Sequence, residues 1–80
     1  MTDCKRLSNA LGRVVVKRRI ALGLDREGLA KRLGESIKYV QAVEEGRQYL
    51  FLTDIHLMAE ALDVPIVDLM REAESEAGSD

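Results

Sequence analysis

The 80-residue sequence has very little cysteine and histidine, and no long apolar run. Cys4 is the only cysteine, so the chain can form no internal disulfide and no cysteine metal cluster. That thiol use implies a reducing, cytoplasmic setting. His56 is the only histidine and has no Cys, His or carboxylate partners at ligand spacing, which argues against a metal centre. No stretch of about 18 apolar residues exists to span a bilayer, and Met1 to Arg6 lack the apolar core of a signal peptide. There is no alternating strand pattern, internal repeat, low-complexity tract or glycine-rich phosphate loop. Ser8, Ser36 and Thr53 read as helix caps or termini, and no nucleophile–base arrangement accompanies them. The sequence therefore predicts a protein that is not an enzyme and carries no cofactor.

What remains is a short all-α chain. It is 46% hydrophobic and 32% charged, the balance of a globular domain. At this length only about 60% of the unfolded surface can be buried. The net charge of −2 is unevenly spread: residues 1–47 hold 11 basic and 6 acidic side chains, a balance of +5, whereas residues 48–80 hold 1 and 8, a balance of −7. A basic half that faces phosphates is compatible with an acidic whole.

Five helices are expected. The first spans about Leu7 to Leu22, with Leu7, Leu11, Val14, Val15 and Leu22 on one face, and Gly23 ends it. Asp25 caps a short second helix, Arg26 to Leu33, which is stopped by Gly34. Ser36 caps a third, Ile37 to about Glu45, whose inner pair is Val40 and Val43. A fourth begins at Thr53 or Asp54, with Ile55, Met58, Ala59 and Leu62 along one stripe. Pro65 opens a fifth, which carries Ile66, Leu69, Met70 and Ala73 on one side. The expected organisation is a flexible N-terminus at 1–6, one helical domain at 7–73 and a frayed acidic tail at 74–80.

The most informative unit is the second and third helices with their turn. Ala30 is small where two helices cross, Gly34 permits the tight turn, and Val40 and Val43 pin the third helix so that its other face points outward, fit to enter a major groove. The run Arg19-Ile20-Ala21-Leu22-Gly23-Leu24-Asp25, with Leu29-Ala30, Leu33-Gly34, Val40 and Val43-Glu44-Glu45-Gly46-Arg47, resembles the Cro/C1-type (Xre-like) helix-turn-helix repressors. The resemblance covers about Leu11 to Leu69. It implies a compact five-helix, lambda-repressor-like domain that binds double-stranded operator DNA, as a homodimer on a palindromic site, and regulates transcription, as a repressor, in the cytoplasm at the nucleoid.

By position, the resemblance implies an ion pair between Arg19 and Glu44, base contacts from Ile37, Lys38, Gln41 and Ala42, and phosphate contacts from Arg26, Ser36, Tyr39, Arg47 and Gln48. Gln41 has the chemistry to pair with adenine and Lys38 to reach guanine or phosphate, while Ile37 and Ala42 can only meet thymine methyls or sugar. Two features depart from the family pattern: Glu35 replaces an apolar turn residue, and Tyr49-Leu50-Phe51 replaces a polar loop containing proline. Glu35 is expected to point outward. Leu50, Phe51, Leu57, Ile66, Val67, Leu69 and Met70 exceed the apolar complement such a small core needs. A twofold interface built from Leu50, Phe51, Ile66, Leu69 and Met70 is the simplest use for them. The alternative is a protein-interaction module of the same fold, such as an antitoxin that neutralises a toxin, docking through Tyr49 to Leu52.

Overall fold

A computed structural model of the chain describes residues 4–78. They form five helices and, among the described residues, no strand: α1 Cys4–Ala21, α2 Arg26–Leu33, α3 Ile37–Glu44, α4 Leu52–Ala61 and α5 Ile66–Gly78. α1 lies along α5 and also crosses α3, α2 packs on α3 and α4, and α4 closes against α5. The core is aliphatic. Leu11, Val14, Val15, Leu29, Val40, Val43, Met58, Leu62 and Leu69 are buried within it.

The local signals set the element ends. The Asp25 carboxylate accepts the Gly28 N–H at 2.7 Å, capping α2. Gly34, with φ of 69°, turns the chain into the left-handed region, and the Glu35 N–H closes back on Ala30 O at 3.0 Å. Ser36 Oγ then accepts the Tyr39 N–H at 3.1 Å and starts α3. α4 begins at Leu52, slightly ahead of its expected start, because Asp54 reaches back to accept the Phe51 N–H at 2.8 Å.

Both ends differ from the sequence expectation. α1 begins at Cys4, so residues 4–6 are helical and not a loose leader, and α5 continues to Gly78, so 74–78 are not a frayed tail. Residues 1–3 and 79–80 lie outside the described part. Tertiary contacts supply the reason. Lys5 Nζ donates to Gly46 O at 2.8 Å, anchoring the first turn of α1 to the loop beyond α3. At the other end Ala77 is buried, and Glu76 receives Lys17 and Arg13 while Glu72 receives Arg18 at 2.8 Å. The Lys17 hydrogen bond, outweighing the opposing effect of burial and helped by the charges of Lys17 and Arg13, holds the Glu76 carboxyl below its ordinary range. Leu22, expected on the inner face of α1, is instead exposed beyond the end of the helix.

Two further constraints position α3. The first is steric. A Cβ on Gly12 would stand 2.4 Å from Glu44 O and 2.7 Å from Val43 O, so α1 passes the C-terminus of α3 at a distance only glycine allows. The second is electrostatic. The Glu44 side chain, 2% exposed, accepts from Arg19 Nε at 2.7 Å and from Arg26 Nε at 2.8 Å. Arg19 also donates to Leu24 O at 3.0 Å. One carboxylate thus ties α1, α2 and α3 together.

Overpacking against backbone that cannot yield costs about 1–3 kcal/mol, more than the helix-propensity gain of up to ~1 kcal/mol from replacing glycine. Gly12→Ala is therefore expected to lower the free energy of urea unfolding, and an unchanged or raised midpoint would refute the close crossing. Glu44→Gln leaves two guanidinium groups without their shared carboxylate. Its expected cost is about 3 kcal/mol, measured by the same unfolding curves. Arg26→Ala should cost less, because that side chain is 40% exposed and partly screened.

Candidate nucleic-acid interface

With Val40 and Val43 buried on the inside, α3 turns Ile37, Lys38, Gln41 and Ala42 to the other side. Ile37 and Lys38 are exposed, while Gln41 and Ala42 are half-buried. The helix is eight residues long, too short to be stable alone, so packing and caps set this presentation. Glu35, in the turn before it, is exposed.

The residues assigned to phosphate contact are in different states. Ser36 is exposed and its oxygen caps α3, which leaves its O–H as a donor. Tyr39 is half-buried. Burial first, then the charges of Asp54 and Glu35, raise the pKa of its hydroxyl, so it remains a neutral donor. Gln48 donates to the neighbouring Tyr49 O at 3.3 Å. Arg26 is drawn into the Glu44 site and so has a structural function beside any contact with a ligand. Arg47 follows Gly46; its N–H closes α3 on Ala42 O at 2.8 Å, and its exposed guanidinium donates to Glu45.

Three residues absent from the sequence reading of the site matter here. Glu45 accepts from Gln41 Nε2 at 3.1 Å and from Arg47 Nε at 2.9 Å. These two hydrogen bonds, Arg47 first, hold its carboxyl below the ordinary range. The spacing from Gln41 to Glu45, four residues on a helix, was the available signal. Lys5 brings a further cation to the loop after α3, and nothing in its local sequence pointed there. Gly12 sets the height of α3 against α1; an isolated glycine inside a helical pattern is the mark of such a close approach.

Charge is distributed differently in space than along the chain. Arg13, Lys17 and Arg18 of the basic half are paired with Glu76 and Glu72 of the acidic half. Lys38 lies on α3 and Arg47 just beyond it, Arg26 and Lys5 are bound at the C-terminal end of α3 through Glu44 and Gly46 O, and Glu35 and Glu45 flank the helix. Such a surface suits a duplex read through a few polar and apolar side chains. Among the described residues no three His, Cys, Asp or Glu side chains gather to hold a metal ion, and no helix is long and apolar enough to cross a membrane.

The apolar surface also differs in detail. Leu69, expected in a twofold interface, is fully buried in the core of the single chain and cannot contribute to one. It lies at the centre of the α5 face that packs inward. Leu50, Ile66 and Met70 are half-buried, whereas Phe51, Leu52, Leu57 and Val67 are exposed. Leu52, Ile66, Val67 and Met70 line one shallow depression with Arg71 and Glu74.

The model of a helix-turn-helix domain family matches residues 10–73. Over 56 residues, 70% of this chain, the sequence is 43% identical to an uncharacterised transcriptional regulator in the ATPase CF(0) region of Rhodospirillum rubrum, and it spans about half, 52%, of that protein. The fold is similar to that of the restriction-modification controller protein C.AhdI from Aeromonas hydrophila, with a TM-score of 0.72 and 34% identity over 76% of this chain and 92% of that one. The C.Esp1396I controller, solved as a tetramer in complex with its natural 35 base-pair operator, shares the fold at a TM-score of 0.79 and 22% identity, over 89% of this chain and 93% of that one. The caps, the glycine turn, the Arg19–Glu44 pair and these matches agree: the chain belongs to the helix-turn-helix domain family, of the Cro/C1 (Xre-like) type.

Proposed function

We propose that the chain acts as a homodimer that binds a palindromic operator sequence-specifically and represses transcription, in the cytoplasm at the nucleoid. The observation that carries this reading is α3: capped by Ser36, anchored by Val40 and Val43, it offers Ile37, Lys38, Gln41 and Ala42 outward. In this reading those four enter the major groove, Ile37, Gln41 and Ala42 meeting base edges and Lys38 reaching guanine or the phosphate beside it, with Arg26, Ser36, Tyr39, Arg47 and Gln48 on the flanking phosphates. The operator complex formed by the C.Esp1396I controller on the same fold supports it.

Lys38→Ala should weaken binding to all duplexes and flatten the dependence of log affinity on log salt by about 0.9 per bound protomer. Gln41→Ala should instead relax discrimination at one base pair, costing about 1–3 kcal/mol on the preferred duplex only. Fluorescence anisotropy against a duplex selected from a random pool reads both. Unchanged binding in both variants would remove α3 from the docking face.

The dimer pairs the depression lined by Leu52, Ile66, Val67 and Met70 with its twofold copy, with Phe51 beside it. Such a dimer sets two recognition helices about 34 Å apart, one helical turn of DNA. Val67→Glu is expected to shift sedimentation from dimer to monomer and leave the far-UV dichroism intact, since Val67 is exposed in the single chain; a variant that still sediments as a dimer refutes this surface. The exposure of Tyr49 and Phe51, 92% and 76%, favours a second reading, an interaction module such as an antitoxin. A monomer with no gel shift at low salt would select it.

A further inference from the structure

Glu45 stands at the end of α3 with its carboxylate held by the two side chains assigned to DNA on either side of it, Gln41 and Arg47. A carboxylate can only accept, so the Gln41 amide must turn its nitrogen toward Glu45. One of its two N–H groups is committed there, and one N–H and the carbonyl oxygen remain for a base. Adenine needs that complement in the major groove, an N–H onto N7 and an oxygen to receive the N6 amino group. The hydrogen bond thereby biases the orientation of the amide before any duplex arrives. On the other side, the guanidinium lies 2.8 Å from a Glu45 oxygen; its remaining N–H groups can still reach a phosphate, but the carboxylate offsets its charge there. A carboxylate beside a polyanion also repels it.

We propose that Glu45 is a specificity-determining residue, which orients the Gln41 amide for one base edge and restrains Arg47 from sequence-independent phosphate contact. This rests on the reading of α3 as a DNA-recognition helix. A duplex that lacks the matching base then meets a site whose flanking cation is already partly neutralised. A matching duplex recovers the loss through the base contact.

The test compares wild type, Glu45→Gln, Glu45→Ala and the double variant Glu45→Ala with Arg47→Ala. Each is titrated against a pool-selected duplex and a scrambled duplex of equal length across a range of potassium chloride concentrations. Glu45→Ala is expected to bind the scrambled duplex about fivefold more tightly, with a salt dependence steeper by about 0.9 per bound protomer as Arg47 becomes free to neutralise a phosphate. Affinity for the selected duplex rises less, so discrimination falls. Adding Arg47→Ala abolishes the gain. Glu45→Gln removes the charge but keeps an acceptor for Gln41, so it tightens scrambled binding while retaining the base preference under Gln41. If scrambled-duplex affinity and salt slope match wild type in both single variants, or if the gain survives loss of Arg47, the proposal is overturned. If wild type and every variant bind no duplex at all, the DNA-binding reading itself falls, and this proposal with it.

Discussion

The Glu44 carboxylate, buried between Arg19 and Arg26, is the contact on which the geometry of the molecule turns. A carboxylate so enclosed is tolerated only because two guanidinium groups compensate its lost hydration. The arginines come from α1 and the first turn of α2, so satisfying one charge fixes three helices relative to each other. Gly12 acts at the same place by letting the backbone of α1 reach the last carbonyls of α3. The exposed face of α3 inherits its direction from these two constraints and from the Val40 and Val43 anchors, since eight residues of helix have little stability of their own.

Electrostatics illustrates how folding can reverse a composition argument. The sequence divides into a basic half and an acidic half, which suggests a strongly polarised surface. Folding lays α5 against α1 and pairs Arg13, Lys17 and Arg18 with Glu76 and Glu72. Part of the basic half is thereby used to hold the C-terminal helix in place, and the residues around α3 include the carboxylates Glu35 and Glu45 as well as cations.

The apolar residues show the same division. A surplus of large aliphatic side chains in the last helices was evident from their number alone. Which of them face solvent was not: Ile66, Leu69, Met70 and Ala73 share a stripe, and only the packing of α1 onto α5 makes Leu69 and Ala73 its buried centre, with Ile66 and Met70 at the edges. Val67, just off that stripe, is left open to solvent and therefore available to a partner.

The sequence alone determined the all-α class, the helix-turn-helix unit and its caps, because Asp25, Gly34 and Ser36 act on the few residues next to them. It also identified Arg19 with Glu44 and the outward positions of α3 through the family resemblance. Its helix ends at α1 and α5 were too short, because Lys5 is anchored 41 residues away and Glu76 and Ala77 are held by α1. Only the tertiary structure decided that Arg26 shares Glu44, that Gly12 sets the height of α3 and that Glu45 holds Gln41 and Arg47. Each of these depends on where a whole helix lies or which rotamer a long side chain adopts, and local pattern carries neither.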